Sequence, residues 1–471
     1  MIALLLLETK MNFTMKMTIT ILAIMTGACM LSLEASAQTA GDVTEQTRTW
    51  SLDSCMRYAV EHATDVEREK ANARQRRDDY RSAAAAFLPT VSAAVQGQYA
   101  WGRNIDPETN TYNNVTTFNN YYQLYASLNV FDGFATINAF RQARLAKRYS
   151  STAMQKVQDE TAIDVMQKYV DAAYAKASIA IATEKLAESR RLLVRMQRLY
   201  DLGEKGRPDV VQMEAQVAED EYNLTHQQNE ARKSLLALKS AMNYPVADAL
   251  ELDTALAARS CCLTAIPTDN AAEDIYAAFC GVSPCVKEAE YKVQSARYDY
   301  RIARGRLLPS LTLSGGITTN YYKNLSQAGQ YGGFGTQFRN NRGEYLLLTL
   351  SIPLYSSTLW HNVRTARNNS RLAEITLDET RRKLHDQIAQ AVMDAEGYAR
   401  ELTQMQKKVQ SDSVAYHMQS RKFEEGMLST FDLHTSAQTL LESRIKRLQM
   451  QLLLIIKRRL VDYYKGQNII R

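Results

Sequence analysis

The sequence repeats one arrangement of segments, and this repeat constrains the fold more than any other feature. Three sets of anchors correspond at nearly constant offsets. The offset is 220 residues between Pro89 and Pro309 and 222 residues between Ser127 and Thr349. It is 223 residues both between Gly203 and Gly426 and between Asp209 and Asp432. Since the offsets differ by only three residues, the sequence indicates an internal duplication with small insertions.

The repeat predicts how the chain is divided. Each copy reads as a helix, two strands, a very long helix, a glycine turn and a last helix. The predicted divisions are a signal peptide at 1–37, repeat 1 at 38–242, an inter-repeat linker at 243–270, repeat 2 at 271–465 and a tail at 466–471.

The N-terminal segment is typical of an exported protein. Lys16 precedes an apolar run over 19–33, and Ala35-Ser36-Ala37 has the small-x-small pattern that signal peptidase recognises. We expect cleavage after Ala37, with Met11 or Met15 as the true start. Cys29 follows Thr-Gly-Ala, which lacks the leucine of a lipobox; its lipidation is the alternative. No later stretch reaches about 18 consecutive apolar residues, the length of a spanning helix.

Charge and motifs argue against nucleic-acid binding and catalysis. The net charge of +6 comes from 57 basic and 51 acidic residues that are well mixed, without a basic stripe. The six histidines are scattered, and the sequence contains no HExxH, GxSxG or P-loop motif. We therefore expect no enzyme, no cofactor and no metal.

Five cysteines remain after removal of the signal. An oxidising compartment permits a disulfide between the pair Cys261/Cys262 and the pair Cys280/Cys285, while Cys55 lies far from both. The connectivity does not follow from the sequence, and one thiol must remain unpaired. A zinc site is the alternative, but no histidine is near this cluster.

Two pairs of segments alternate apolar and polar residues with the period of a strand. The first copy alternates around Val91–Gln96 and Leu124–Val130, and the second around 311–318 and 346–352. Long loops rich in Asn, Gly and Thr, at 103–118 and 324–343, separate the members of each pair. Aromatic residues gather at the loop ends: Tyr99, Trp101, Tyr121, Tyr122, Tyr321, Tyr322 and Tyr345. Alternation with an aromatic girdle favours membrane-barrel strands over a soluble sandwich, which does not need the girdle.

The helices that follow the strands are longer than a globular core requires. No glycine or proline interrupts 134–202, about 70 residues or 100 Å of helix, and the counterpart at 359–425 contains only Gly397. A shorter helix is expected at 52–87. Apolar residues recur every seven positions, which predicts helices packed side by side as coiled coils.

Four strands cannot close a barrel by themselves. An open edge in lipid leaves unsatisfied backbone groups, each costing several kcal/mol. Copies must therefore share one barrel: two would give eight strands and three would give twelve. A wide tunnel favours three, although the residues alone leave the number open.

The order of these segments resembles the TolC-like outer-membrane efflux protein family. The turns Tyr200-Asp-Leu-Gly203-Glu-Lys-Gly-Arg-Pro-Asp209 and Phe423-Glu-Glu-Gly426-Met-Leu-Ser-Thr-Phe-Asp432 carry the resemblance further. It implies an α+β membrane protein with a trimeric, twelve-stranded outer-membrane β-barrel, four strands per protomer, continuous with a long periplasmic α-helical barrel. It also implies an equatorial belt formed by the linker and tail.

The resemblance also implies the function and partners. We expect an outer-membrane exit duct that passively conducts substrates received from an inner-membrane transporter and a periplasmic adaptor protein. The alternative is a periplasmic coiled-coil adaptor or structural protein without a barrel. The substrate and the transporter class do not follow from the sequence.

The two glycine turns would be the periplasmic tips that dock the adaptor and narrow the tunnel. The expected tip residues are Gly203, Asp209, Phe423, Gly426, Ser429 and Asp432. Thr435 replaces a second acidic residue of the family pattern, and Phe423 replaces a tyrosine, so a paired acidic ring and a hydroxyl latch are not expected. The structural alternative is that Ser429 and Asp432 cap a helix, and that both glycines end helices in a left-handed conformation.

Overall fold

The computed structural model describes residues 49–105, 111–253, 271–326 and 332–470. The predicted signal peptide, Cys29, Cys261 and Cys262 lie outside these ranges. The first half contains β1 (Thr49–Trp50), α1 (Leu52–His62), α2 (Thr64–Ala85), β2 (Thr90–Ile105), β3 (Tyr112–Asp132), α3 (Ala135–Asp201), α4 (Arg207–Met242) and β4 (Glu251–Leu252).

The second half repeats the main elements in the same order. It contains α5 (Ala271–Cys280), α6 (Pro284–Gly305), β5 (Ser310–Asn324), α7 (Phe334–Asn340), β6 (Gly343–Ser351), α8 (Ser357–Glu424) and α9 (Thr430–Tyr464). The long helices α3 and α8 have 67 and 68 residues, so each extends for about 100 Å. Both agree with the predicted helices to within two residues at each end. Among the described helices, none is both long and apolar enough to cross a membrane.

The main sheet is antiparallel, with the strand order β2-β3-β5-β6. Its register places Leu124 opposite Ala93 on one side and Ile317 on the other, so the apolar positions of neighbouring strands share one face. This face is open in the protomer: Trp101 is 75% exposed and Leu346 is 79% exposed. We call it the apolar face.

Three sequence predictions for the strands and loops were inaccurate. Residues 103–105 and 112–118, predicted as loop, extend the β2–β3 hairpin, because backbone pairing does not require apolar side chains. The second predicted loop contains α7, whose first turn includes Phe334 and Gly335. Val130 does not continue the alternation, because the register shifts between Asn129 and Phe131.

The predicted helix 52–87 is two helices. Ala63 has an extended backbone, with φ −62° and ψ 141°, and separates α1 from α2. Neither glycine nor proline marks this break. The short α1 buries Leu52, Cys55, Met56 and Ala59, whereas α2 is largely exposed and ends just before Pro89.

A hydrophobic cluster joins the ends of both repeats. Tyr169 of α3 is fully buried at its centre, and its hydroxyl lies 3.1 Å from the Trp50 carbonyl oxygen and 3.0 Å from that of Asp253. Leu252 from the inter-repeat segment and Ile469 from the C-terminal tail pack into the same cluster. The linker and the tail therefore meet around the helices at one level.

The sheet joins the helices at a close backbone crossing. Gly133 has φ +66° just before α3, and it lies against Gly305 at the end of α6. A Cβ atom on Gly305 would stand 2.3 Å from the Gly133 carbonyl oxygen. On the α3 side, the Asp132 carboxylate accepts a hydrogen bond of 2.8 Å from the Thr136 N–H and so caps the helix. The crossing has room for glycine alone.

We expect Gly305→Ala to destabilise this junction by about 1–3 kcal/mol, because the added methyl group overlaps a backbone oxygen that cannot rotate away. The measurement is the thermal unfolding midpoint of the purified protein. Gly397→Ala in α8 is the matched control, since nothing lies within 4 Å of its Cβ position. The control should be neutral or stabilising by at most about 1 kcal/mol. Equal midpoints for the two variants would contradict the crossing.

Candidate functional site

Two similar turns connect the long helices to their partners. Gly203 follows α3 and Gly426 follows the end of α8, and both have φ +77°. The N–H of Glu204 donates to the Leu199 carbonyl and that of Met427 to the Lys422 carbonyl, each at 2.9 Å. These are the six-to-one bonds of a Schellman motif, so both glycines end their helices in the left-handed conformation that the sequence predicted.

The acidic residues of the turns cap the returning helices. Ser429 accepts a hydrogen bond of 3.1 Å from the Asp432 N–H, and its hydroxyl donates to the Asp432 carboxylate at 2.6 Å. In the first turn, the Asp209 carboxylate accepts from the Gly206 N–H at 3.3 Å. The cap predicted for Ser429 and Asp432 is therefore present, and Asp209 caps the other helix in a way that was not predicted. Thr435 donates its hydroxyl to the Phe431 carbonyl and adds no charge.

The two turns share one hydrophobic contact, which we call the tip cluster. Phe423 of α8 is 7% exposed and packs with four residues from the other tip helices: Met196, Val210, Met213 and Leu433. Arg195 places its guanidinium 5.7 Å from the centre of the Phe423 ring and donates to the Glu424 carbonyl at 3.3 Å. A tyrosine hydroxyl at this position would need a buried partner of its own. Phenylalanine, which has no hydroxyl, can therefore fill this apolar contact without leaving a polar group unpaired.

A buried ion pair behind the turns was not predicted. Lys185 of α3 lies 3.0 Å from the Asp220 carboxylate of α4, whose side chain is 1% exposed. Ser189 and Gln216 also donate to that carboxylate, at 2.5 and 3.1 Å. Lys185 additionally donates to the Gln438 amide oxygen of α9 at 2.5 Å. The network therefore ties the first coiled coil to the second.

The sequence contained a signal for this network. Val210, Met213, Val217 and Asp220 have the alternating spacing of a coiled-coil seam, so Asp220 is a charged residue at an apolar position. A charge at a seam position must be paired, because isolated burial of a charge is costly. The partner, however, comes from another helix and is not fixed by local spacing.

His434 of α9 lies beside this network. Burial lowers the pKa of His434, and the positive charge of Lys185 lowers it further, while Asp220 and Glu219 act in the opposite direction. The folded tip therefore favours the neutral imidazole.

At the other end of the molecule, the strand register divides the predicted aromatic girdle. Tyr99, Trp101, Tyr122 and Tyr321 lie on the apolar face. Tyr121, Tyr322 and Tyr345 project from the opposite face, where the Tyr345 hydroxyl accepts a hydrogen bond from Gln123. Because side chains alternate between the two faces of the sheet, these three tyrosines would not belong to a girdle that faces lipid.

The cysteines do not form a catalytic or metal centre in the described ranges. Cys55 is fully buried, and burial raises the pKa of its thiol to about 12. Cys280 and Cys285 are not bonded to each other or to Cys55. Since Cys261 and Cys262 are outside the described residues, the disulfide remains a prediction. No group of three or more His, Cys, Asp or Glu side chains in the described part of the chain could hold a metal ion.

Two helices of about 100 Å, each joined to a shorter partner helix through a capped turn, lie at one end, and an antiparallel sheet with an open apolar face lies at the other. This is the architecture of an outer-membrane channel protein. Residues 56–244 and 281–460 match the family model described as outer membrane efflux protein, so the chain belongs to this family. No curated protein sequence matches the chain.

Solved outer-membrane channels have the same fold. The outer membrane protein VceC from Vibrio cholerae has a TM-score of 0.71 at 14% identity, covering 89% of this chain and 96% of VceC. The Campylobacter jejuni CmeC outer membrane channel gives 0.71 and 14%, covering 89% and 87%. The open state of the Neisseria gonorrhoeae MtrE channel gives 0.67 and 16%, covering 88% of each chain. The protein is thus an outer-membrane exit duct of an efflux system, a passive conduit rather than an enzyme.

We expect the packing of the tip to weaken as the pH falls below about 6.5, the ordinary pKa of histidine. The folded tip holds His434 neutral, whereas the unfolded chain binds a proton, so acid favours unfolding. Hydrogen exchange of α9 amides between pH 7.5 and 5.5, corrected for intrinsic rates, measures this effect.

His434→Gln should remove this pH dependence, while His417→Gln on the exposed surface of α8 should retain it. A pH dependence that survives in the His434 variant would assign the effect to another group.

Proposed function

We propose that three copies of the chain form one closed barrel of twelve strands, continuous with a tunnel of long helices. Substrates would enter at the glycine turns from an inner-membrane transporter and a periplasmic adaptor, and would leave through the barrel without further energy input. The internal duplication supplies each copy with two hairpins and two helical pairs. The linker and tail that meet around Tyr169 would form the equatorial belt.

The observation that carries this proposal is the pair of open sheet edges. In the four-stranded sheet, β2 and β6 are the outer strands, and each has an edge without a strand partner in the described chain. A sheet in lipid cannot leave such edges open, because each unsatisfied backbone group costs several kcal/mol. The exposed apolar face supplies the lipid-facing surface. Joining β6 of one copy to β2 of the next pairs these two edges along their shared length when the ring closes.

The number of copies in the barrel follows from the width that a duct needs. Closed membrane barrels need at least about eight strands, and a barrel of that size is filled by its own side chains. Two copies would therefore give a barrel too narrow for a duct. Three copies give twelve strands and six pairs of long helices, which can enclose a tunnel.

This assembly predicts how the purified protein behaves. It should be extracted from membranes by detergent but not by high salt, and should migrate as a trimer in electrophoresis until it is heated. Unheated and heated samples of the same preparation provide the comparison. Release by salt as a water-soluble monomer would support the alternative, a periplasmic coiled-coil protein without a barrel.

We further propose that the two turns dock the adaptor. Their backbones end in left-handed glycines, and bulky apolar side chains beside them are exposed: Leu202 by 74%, Met427 by 66% and Phe431 by 60%. Such groups, at the end of a helical pair and not buried in the protomer, suit contact with another helical protein. The capping bonds hold the turns in one conformation for this contact.

Gly426→Val should weaken adaptor binding at least tenfold, since a β-branched residue resists φ +77° and deforms the turn. Binding of a purified adaptor to the purified trimer measures this effect. Gly466→Val is the matched control, because Gly466 has φ +84° at the end of α9 and, like Gly426, nothing within 4 Å of its Cβ position. The control should bind normally. Equal losses in both variants would indicate general destabilisation and not a docking turn.

Asp432 has a second proposed role, in the entrance of the tunnel. Three copies of its carboxylate around a threefold axis would attract cations and repel anions. The capping bond with Ser429 does not prevent this role, because the carboxylate keeps its charge while it accepts the bond.

Asp432→Asn should lower the preference of the open channel for cations, measured as a shift of the reversal potential in planar bilayers under a salt gradient. Ser429→Ala removes the capping hydroxyl and leaves the charge, so its reversal potential should be unchanged. If both substitutions shift the potential equally, helix capping and not the acidic ring explains the effect.

A further inference from the structure

Strand β5 continues beyond the end of β6. Gly343, the first residue of β6, pairs with Thr318, whereas β5 runs on to Asn324. Residues 319–324 therefore have β3 on one side and no strand on the other within the described chain. This edge would leave backbone groups unpaired in the wall of a barrel.

The short helix α7 takes the place of the missing strand. The Gln337 side-chain amide accepts from the Tyr322 N–H and donates to the Tyr322 carbonyl, both at 2.9 Å. A neighbouring antiparallel strand would exchange the same two hydrogen bonds. Asn341 donates to the Asn320 carbonyl at 2.9 Å, and Thr319 donates to the carbonyl of α7 residue Phe338 at 2.7 Å. The edge of β5 is thus satisfied by a helix.

Aromatic contacts fix α7 on the apolar face of the sheet. Phe338 and Phe334 lie 5.3 and 6.1 Å from the Tyr122 ring, measured between ring centroids. Phe334 also lies 5.4 Å from Tyr321. Both tyrosines belong to the apolar face.

On the opposite side of α7, no described residue makes a contact of this kind. Thr336, Arg339 and Asn340 point away from β5 by helical geometry, and all three are exposed. Their side chains provide donors and acceptors on the side where a neighbouring copy would begin.

The neighbouring copy must offer an open edge at the same level. Strand β2 has 16 residues and β6 has nine, so at least seven residues of β2 cannot pair with β6 in any register. Both strands connect to helices at the same end, at Pro89 and Pro353, so the surplus of β2 lies at the other end, beside α7. With the helix-side ends of the two strands placed level, this surplus is residues 99–105.

The width of a helix allows α7 to span the gap from one face of the sheet. Where β6 is absent, the axes of β5 and of the next β2 would be separated by two strand spacings, about 9.6 Å. The opening left by one strand is narrower than a helix, which is about 10 Å wide with its side chains. Lying over this opening on the apolar face, one helix reaches both neighbours.

We propose that α7 of each copy seals against residues 99–105 of β2 in the next copy, an inference that rests on the proposed three-copy barrel. Polar side chains on the outer side of α7 satisfy the free backbone groups of that β2 edge. The wall at this end then consists of three strands and one helix per copy.

Cysteine cross-linking in the full-length chain tests the seal, in a background whose native cysteines are replaced by alanine. Arg339→Cys in α7 is combined with Arg103→Cys in β2. The reference pair is Leu346→Cys with Val95→Cys, each five residues from the helix-side end of its strand, β6 or β2. Membranes are treated with a short thiol-specific cross-linker, heated to dissociate trimers that are not cross-linked, and separated by electrophoresis without reductant.

Cross-linked dimers and trimers from both pairs are the expected result. Products from the reference pair alone, with the thiol at position 339 labelled by a lipid-soluble reagent, would show that lipid covers α7 and would overturn the seal while leaving the barrel intact. Products from neither pair would overturn the proposed barrel, and the seal with it.

The Gln337→Ala variant tests whether cross-linking from position 339 requires the attachment of α7 to the edge of β5, or only the proximity of two copies. Loss of the strand-like bonds to Tyr322 should release α7 and reduce cross-linking from position 339 at least fivefold, while the reference pair is unchanged. Gln123→Ala is the matched control, because Gln123 bonds to Tyr345 on the opposite face of the same sheet. Undiminished cross-linking in the Gln337 variant would show that α7 is not held by the edge of β5, and would overturn the proposed mechanism of sealing.

Discussion

Backbone hydrogen bonding in lipid is the constraint on which the structure depends. A strand in the bilayer has no water to satisfy its N–H and C=O groups, so every edge must find a partner. Within the protomer, β3 and β5 have strand partners on both sides along more than half of their length, whereas β2 and β6 each have one edge that the proposed barrel would pair with another copy. The apolar face is open for a related reason. Side chains that contact lipid are stable without burial inside the protomer.

The helical half is held together in a different way. Its helices form two antiparallel pairs, α3 with α4 and α8 with α9, and the buried cluster around Tyr169 and the tip cluster join one pair to the other. Between these clusters much of the surface is polar, as expected for helices in water. Gly133 and Gly305 connect this half to the sheet, where two backbones cross without room for a side chain.

Much of this architecture follows from the sequence, because strong local signals repeat. Pro89 and Pro309 mark the change from helix to strand, and strand parity predicts the apolar face. The break at Ala63 carries no such signal, so it was missed. The pairing of Gln337 with Tyr322 and of Lys185 with Asp220 depends on residues that are distant in sequence, and spacing along one helix cannot reveal it. Proximity to the loops groups Tyr121, Tyr322 and Tyr345 with the girdle residues, whereas the strand register places these three on the face opposite Tyr99 and Trp101.

The tip cluster has a consequence for how such a duct could open. Phe423 belongs to one helical hairpin, and Met196 and Val210 belong to the other, so the two ends of a subunit share a single apolar contact. Moving one hairpin alone would expose these side chains to water. In an assembly of three subunits, the tips of the six helical hairpins would accordingly be coupled as three pairs. A force that moves one hairpin of a pair would also act on the other.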